Sequence, residues 1–549
     1  MLSKEEFMKK ICYTLSCLII LIFSVFFIIN FIGFEVFCDS DMYQDTYVAK
    51  LMWDSKSVFP SNWTFGNQYY VIATPNIAAI FYGITGSINL SMIMATTIYT
   101  ILIMGAFVYM MIPVTYNRSS AGKSRMENGY YTLFALLCFL TAVTGVDIVN
   151  THQGQLFFLA ASYYSCYLFT VFFVYGVYLR FLFCEKNPSK LEYILALLFS
   201  VATGMQSLRQ TAIMVMPIIL FEAARFFYKI ATKTYSRKDW SVTLRMAILS
   251  IVNVVAYLVV AVIIKPSHRI VYGGTGLQSI SAWGEGFLEV TREFVGITGI
   301  QSLWGAENYE QNIVLGIISV ISIAVVIFSL FSAVKSVIGE VKCRVDEKSA
   351  MPRFLPIHMM ILLFFFGILS IGALGVIMTL KVRSIYFFMW YPLVAISYTY
   401  LAQKIDLVYC TIAIIAIMSV AFVISYGSSA VKIIHAETTE EEMICQLLED
   451  NEIHYLYGHW NTVPLIAVYS DGEIIPGGWY NTVYEPIGYL NPQDIYLEEY
   501  NSEATYLILE EEKEEALSIA EERGIDMQPI YQNSHYTIYT ASERIIMQR

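Results

Sequence analysis

The chain has 549 residues, of which 57% are hydrophobic and only 14% are Asp, Glu, Lys or Arg, with a formal net charge of −11. Soluble globular chains carry about 25% charged residues, so this composition excludes a set of soluble domains, a disordered chain and a secreted disulfide scaffold. The nine cysteines include no CxxC pair, which leaves neither a zinc knuckle nor a redox motif. The composition indicates a polytopic membrane protein.

The apolar stretches predict about 11 transmembrane helices, because each bilayer crossing needs roughly 20 apolar residues. They lie near residues 12–34, 88–113, 130–147, 156–180, 191–206, 210–228, 243–264, 312–337, 355–378, 384–402 and 406–426. The first is longer than the apolar region of a signal peptide, so we interpret it as a retained anchor. The predicted fold class is an all-α polytopic membrane bundle over residues 1–426, followed by a small α/β or α+β domain over 427–549.

The basic residues in the connections predict the orientation of the bundle. When the N-terminus is placed inside, the inside connections hold 19 Lys and Arg and the outside connections hold 8. Cytoplasmic loops carry the excess of basic residues. We therefore expect the chain in the cytoplasmic (inner) membrane, with the N-terminus inside and residues 427–549 outside.

The first long outer loop, residues 35–87, contains the triplet Asp39-Ser40-Asp41 directly after the first span. Two carboxylates at this spacing can flank a divalent cation such as Mg²⁺ or Mn²⁺, with phosphate and water completing its shell. Alternatively, one carboxylate acts as a base toward an acceptor hydroxyl. The structural alternative is that the triplet caps a helix that starts near Met42.

The second long outer loop, residues 265–311, predicts an amphipathic helix in the plane of the membrane surface. Its apolar face comprises Trp283, Phe287, Val290 and Phe294, and its acidic face comprises Glu285, Glu289 and Glu293. A helix with these two faces is typical of the lipid–water interface.

Further candidate substrate-binding residues lie at the outer ends of the predicted spans or in the second loop. They are Asp147, His152, Arg209, His268, Arg269, Lys381 and Arg383. Ionisable residues at such positions are functional candidates, and the cations among them can clamp a lipid phosphate. The alternatives are snorkelling, helix capping and contact with lipid headgroups.

The C-terminal segment 427–549 has a net charge of −18, whereas the rest of the chain carries +7. Strands are predicted at 453–457, 463–469, 504–509 and 535–540, a turn at 476–478, and a surface helix from Glu510 to Arg523. Such an acidic domain would avoid anionic lipid and nucleic acid, so nucleic acid is not an expected partner.

Four patches of sequence resemble bacterial GT-C glycosyltransferases, which are polytopic enzymes that use polyprenyl-phosphate-linked sugars. Residues 39–63, DSDMYQDTYVAKLMWDSKSVFPSNW, followed by Tyr69-Tyr70, resemble the first outer loop of members similar to dolichyl-phosphate-mannose protein mannosyltransferases. Residues 205–217 and 383–395 resemble two outer segments of that family. Residues 457–474 resemble the start of the outer C-terminal domain found in several members.

The resemblance implies a GT-C bundle with two interfacial helices in the first loop. It implies that an acceptor nucleophile attacks the anomeric carbon of a lipid-phosphate sugar, and that the phosphate leaves. Asp41 matches the catalytic acid of the family, whereas Met42 stands where many members have Glu and Asp39 precedes instead. Arg209 and Arg383 would neutralise the leaving phosphate, and Asp39 with Asp41 would hold the divalent cation. The acceptor, whether protein, lipid or cell-wall polymer, is not specified.

Two other functions compete with this hypothesis. A transporter or lipid flippase is expected to show internal repeats and ionisable or Gly/Pro-broken residues at mid-membrane, whereas the predicted span centres here are nearly free of ionisable residues. A non-catalytic scaffold that displays the acidic domain is the second alternative, because a fold does not fix a function.

Overall fold

The computed structural model describes residues 4–66, 68–119, 125–142, 162–264, 276–305, 311–345, 355–378, 382–405, 408–434, 438–480, 482–488, 490–493 and 504–545. Each predicted span has a helix in these ranges: α1 (Lys4–Ile32), α5 (Ile88–Ser119), α6 (Arg125–Thr141), α7 (Ser162–Phe183), α8 (Lys190–Gln206), α9 (Leu208–Ala231), α10 (Arg237–Leu258), α12 (Ile313–Val345), α13 (Pro356–Ile377), α14 (Trp390–Ile405) and α15 (Val408–Ile434).

Seven of the described helices are long and apolar enough to cross a membrane, and α1, α6 and α15 contain shorter apolar stretches. Large apolar side chains such as Ile101 (64% exposed) and Phe331 (69% exposed) lie on the outside of the bundle. Such a surface suits lipid and not water. The chain is therefore a multi-pass membrane protein, and the predicted helical bundle is confirmed.

Aromatic side chains from four helices build the centre of the bundle. The rings of Phe107 and Phe139 stack at a centroid distance of 4.8 Å, and Phe172 meets both edge-on. Phe364 of α13 contacts Phe172 from the other side at 6.0 Å. Offset and edge-on ring pairs of this kind add to the stabilisation from burial, so they fix the relative positions of α5, α6, α7 and α13.

The two long loops form helices of their own. The first contains α2 (Phe34–Phe37), α3 (Ser40–Ser55) and α4 (Thr74–Thr85), and the second contains α11 (Trp283–Thr298). The predicted helix at α11 is confirmed, with Phe294 packed on Phe387 and Trp390 while Phe287 is 61% exposed. Its place at the lipid–water interface stays a prediction.

The C-terminal segment contains α16 (Glu440–Asp450), β1 (Tyr455–His459), α17 (Val463–Ala467), β2 (Ile475–Trp479), β3 (Thr505–Leu509), α18 (Lys513–Glu522), β4 (Met527–Gln532) and β5 (Tyr536–Ala541). The sheet order is β2-β1-β3-β5-β4, with β2, β1 and β3 parallel and β5 antiparallel to both β3 and β4. The predicted α/β character, three of the strands and the surface helix are confirmed.

Two local predictions in this segment are wrong. The strand expected at 463–469 is the helix α17, because Pro464 lies in its first turn, where a missing N–H costs nothing. The turn expected at 476–478 lies within β2, which is an edge strand of the sheet in the described residues, and edge strands tolerate proline. Strand β4 was not predicted, because it contains Pro529 and a proline counts against a strand.

The C-terminal segment packs against the first loop through one shared hydrophobic core. Met42 and Tyr47 of α3 belong to the same buried cluster as Leu456 and Ile466 of the C-terminal segment. The backbone N–H of Asn89 donates to Oδ1 of Asp471 at 2.9 Å, so the Asp471-Gly472 turn caps the start of α5. The helix that carries the first-loop carboxylates is thus clamped between the bundle and the sheet.

We expect Gly472→Ala to loosen this clamp. Gly472 has φ +90°, and an added Cβ would lie 2.8 Å from Cδ1 of the buried Ile88. The backbone strain costs roughly 1–2 kcal/mol and the crowding about 1 kcal/mol more. The matched control is Gly524→Ala, which also has a positive φ (+71°) but nothing within 4 Å of the added atom. Thermal unfolding in detergent should show a clearly larger loss of Tm for Gly472→Ala, and equal losses would contradict the clamp.

Candidate functional site

The first-loop carboxylates lie at the start of α3, and Asp39 takes the structural role foreseen as an alternative. Its Oδ1 accepts a hydrogen bond from the backbone N–H of Met42 at 2.7 Å, and its backbone is extended. Asp39 is therefore the N-cap of α3, which ties one of its oxygens to the backbone. Asp41, half-buried in the first turn, is not used as the cap.

A second acid on α3, Asp45, lies one turn after Asp41 and on the same helical face. Its side chain is 1% exposed, and neither carboxyl oxygen makes a well-formed hydrogen bond. Burial raises the pKa of Asp45 well above its ordinary value; the Tyr70 hydroxyl opposes this rise, and the charge of Asp41 adds to it. The sequence analysis missed Asp45, although its spacing of four residues from Asp41 was the available signal.

The segment before α4 holds Tyr70 against this acid. The side chain of Gln206, at the end of α8, accepts from the backbone N–H groups of Val71 at 3.3 Å and Ile72 at 3.1 Å. The hydroxyl of Tyr99 donates to the carbonyl of Ile72 at 2.7 Å. Because these bonds satisfy the buried backbone of the segment, they fix the backbone directly after Tyr70.

A break between α8 and α9 brings the predicted Arg209 into the same region. Ser207 is extended (φ −161°, ψ 138°), and this interrupts the helix before Leu208. Arg209 is only 7% exposed, and its Cζ lies 4.2 Å from the centroid of the Tyr386 ring. The alternative of contact with lipid headgroups is therefore wrong for Arg209, because its side chain is buried inside the protein.

Tyr167 of α7 connects the arginine to the segment that carries Tyr70. Its hydroxyl donates to Oε1 of Gln68, and the charge of Arg209 acts on the same hydroxyl. Tyr70 also lies within electrostatic range of Tyr167. A polar cluster of successive neighbours, Asp45, Tyr70 and Tyr167, thus lies between Asp41 and Arg209, which are 168 residues apart in sequence.

Arg383 lies beside Glu293 of α11. It precedes a short 3₁₀ turn (Ser384–Phe387), whose first N–H donates to Oε2 of Glu293 at 2.6 Å. Arg383 is exposed, and its charge lowers the pKa of Glu293, although burial raises that pKa by more. Its role as a neutraliser of the leaving phosphate stays a prediction.

The other predicted site residues lie outside the described residues. They are Asp147, His152, His268, Arg269 and Lys381. Their roles in substrate binding stay predictions.

The described residues do not fit a resident metal ion. Within the described ranges, no group of three or more His, Cys, Asp or Glu side chains is placed to hold one. One oxygen of Asp39 is used in the cap, and the acids near it are Asp41 and Asp45, whereas Mg²⁺ and Mn²⁺ prefer about six oxygen ligands. We derive no chemical step through a metal, and the metal requirement stays a prediction.

A small cavity lies deeper in the bundle, and neither Asp41 nor Arg209 lines it. Its lining comprises Ala142, Thr298, Ile318, Ser322, Trp390, Tyr391, Val394 and Met418. The chemistry that the described residues offer is therefore that of the polar cluster, with carboxyl groups on α3 and a guanidinium at the break between α8 and α9.

Solved structures similar to this chain include two of ArnT from Cupriavidus metallidurans. The apo form matches with 10% identity and a TM-score of 0.41, and the form bound to undecaprenyl phosphate matches with 11% identity and a TM-score of 0.44. Each match covers 96% of this chain and 98% of the other. No family model and no curated protein matches the sequence.

Proposed function

We propose that the protein is a membrane glycosyltransferase that moves a sugar from a polyprenyl-phosphate donor to an acceptor at the outer face of the cytoplasmic membrane. The observation that supports the proposal is the series of neighbouring polar groups that runs from the acids of α3 through Tyr70 and Tyr167 towards the buried Arg209. A lipid-linked donor suits a site at the ends of apolar helices, because its hydrocarbon chain can reach that site from the bilayer.

The chemistry requires one base and one cation. The acceptor hydroxyl attacks the anomeric carbon, its proton passes to Asp41, and the bond between that carbon and the phosphate oxygen breaks. The electron pair leaves with the lipid phosphate, which gains one negative charge. Arg209 offsets that charge, and its burial strengthens the interaction because the local dielectric is low. Stacking on Tyr386 keeps the guanidinium in place for this role.

The test is a transfer assay with the purified full-length protein in lipid nanodiscs. A panel of radiolabelled polyprenyl-phosphate sugars is added together with a solubilised cell-envelope fraction as the acceptor source. We expect one sugar class to give release of free polyprenyl phosphate and labelled acceptor in equal amounts. Movement of labelled lipid between leaflets without release would support the transporter instead, and an inert protein across the whole panel would contradict the proposal.

A further inference from the structure

Two short connections meet at the end of the bundle that is predicted to lie inside. One joins α7 to α8, and the other joins α9 to α10. Helices α8 and α10 are tied together because the Tyr193 hydroxyl donates to the carbonyl of Arg245 at 2.9 Å. The charge of Lys238, at the start of α10, acts on the thiol of Cys184, directly after α7. The two connections are therefore neighbouring parts of one surface.

The acids near these connections are largely held in ion pairs within the protein. Glu222 and Asp239 are buried, and the guanidinium of Arg225 binds both of them. Glu192, in the first turn of α8, pairs with Arg180 of α7. Breaking such a pair would leave a poorly solvated charge behind. These three acids therefore stay with their arginines and do not offset the cations at the surface.

The cations at the surface differ in this respect. Segments 180–192 and 222–245 together contain nine basic and four acidic residues, a net charge of +5, and the fourth acid is the exposed Glu185. Five of the basic side chains are exposed, and within the described ranges none of the five forms an ion pair with a carboxylate. We call these five the basic surface: Lys186, Lys190, Lys233, Arg237 and Lys238.

Aromatic rings border the basic surface. Trp240 is 55% exposed and Phe227 is 69% exposed. The Trp240 ring contacts the rings of Phe226 and Tyr235 at centroid distances of 6.5 and 6.3 Å, so it is held in the first turns of α10. Inorganic phosphate would use the cations and leave these rings in water. An anionic phospholipid offers a phosphate to the cations and an acyl chain to the rings.

We propose that the basic surface is a binding site for anionic phospholipids, whose phosphate groups contact the cations and whose acyl chains contact Trp240 and Phe227. The site is independent of sugar transfer, so its test needs no turnover. Each Lys or Arg close to an anionic lipid surface strengthens the attraction by about fivefold, and salt weakens it by screening.

The test measures how brominated lipids quench the fluorescence of Trp240 in the full-length protein. Phosphatidylcholine vesicles carry increasing fractions of either brominated phosphatidylglycerol or brominated phosphatidylcholine. The difference between wild type and Trp240→Phe isolates this signal from that of the other seven tryptophans. We expect the anionic lipid to reach half-maximal quenching at a fraction at least about fivefold lower, and this preference should disappear in 1 M NaCl.

A triple variant, Lys233→Gln with Arg237→Gln and Lys238→Gln, tests which residues form the site. The preference for the anionic lipid should fall below about twofold, while Tm in phosphatidylcholine stays near that of wild type, because exposed cations without ion pairs add little to stability. The control Lys335→Gln replaces an exposed cation on α12 and should keep the preference. Equal quenching by the two lipids in the wild-type protein would overturn the proposal, and so would a preference that the triple variant retains.

Discussion

Asp41→Asn is expected to lower kcat for sugar transfer by about 10²–10⁴-fold, the range typical of a lost general base. The amide keeps the size of the side chain but cannot accept the proton of the acceptor hydroxyl. KM for the lipid donor should change little, because the interaction is made with the proton that moves in the transition state. Initial rates of polyprenyl-phosphate release at several donor concentrations measure both constants.

The chain offers a matched control on the same helix. Asp54 lies near the end of α3, where its carboxylate pairs with Lys50 at 2.6 Å and its side chain is 47% exposed. An exposed ion pair contributes at most about 1 kcal/mol to stability, so Asp54→Asn should leave transfer within about twofold of wild type. Equal activity of Asp41→Asn and Asp54→Asn would remove Asp41 from the mechanism.

Arg209→Gln is expected to lower kcat by about 10²–10³-fold, the loss typical when one group that stabilises developing negative charge is removed. The uncharged amide cannot offset the charge that the phosphate gains as it leaves. Arg209→Lys should recover part of the rate, because it keeps the charge but loses the planar contact with Tyr386. Single-turnover release of polyprenyl phosphate measures this step directly.

Arg245→Gln controls for the loss of an arginine stacked on an aromatic ring. The Cζ of Arg245 lies 4.8 Å from the ring centroid of Phe181, and this contact is separate from the polar cluster. Both variants should lose some stability, because Arg209→Gln gives up a cation–π contact with one ring and Arg245→Gln gives up contacts with two, Phe181 and Tyr193. A rate for Arg209→Gln no lower than that of Arg245→Gln would show that Arg209 is only a packing residue.

The bundle was largely predictable because a membrane span is encoded locally, as a run of apolar residues of fixed length. The strands were less predictable because a short apolar run such as residues 463–469 suits a buried helix as well as a strand. There the position of Pro464 within the first turn decided the outcome.

The candidate site was predictable only in part, for a related reason. Asp41 and Arg209 lie next to apolar spans, where a charged residue is a candidate functional residue. Asp45 lies within a helix of mixed polarity, where an acid suggests a solvent-facing side, and its burial depends on α7 and on the segment before α4. The hydrogen bond between Gln206 and Ile72 joins residues that are 134 positions apart in sequence, so no local sequence pattern predicts it.

The shared core of α3 with Leu456 and Ile466 has a consequence for biosynthesis. These partners are made about 400 residues after α3, so nearly the whole chain must leave the ribosome before that apolar face is covered. Contacts this distant in sequence form late. An unfinished polypeptide would hold α3 against the first membrane helices on one side only, and the packing around the acids on that helix would be complete only when translation has reached the sheet. A product truncated before Leu456 would therefore lack the proposed transfer activity.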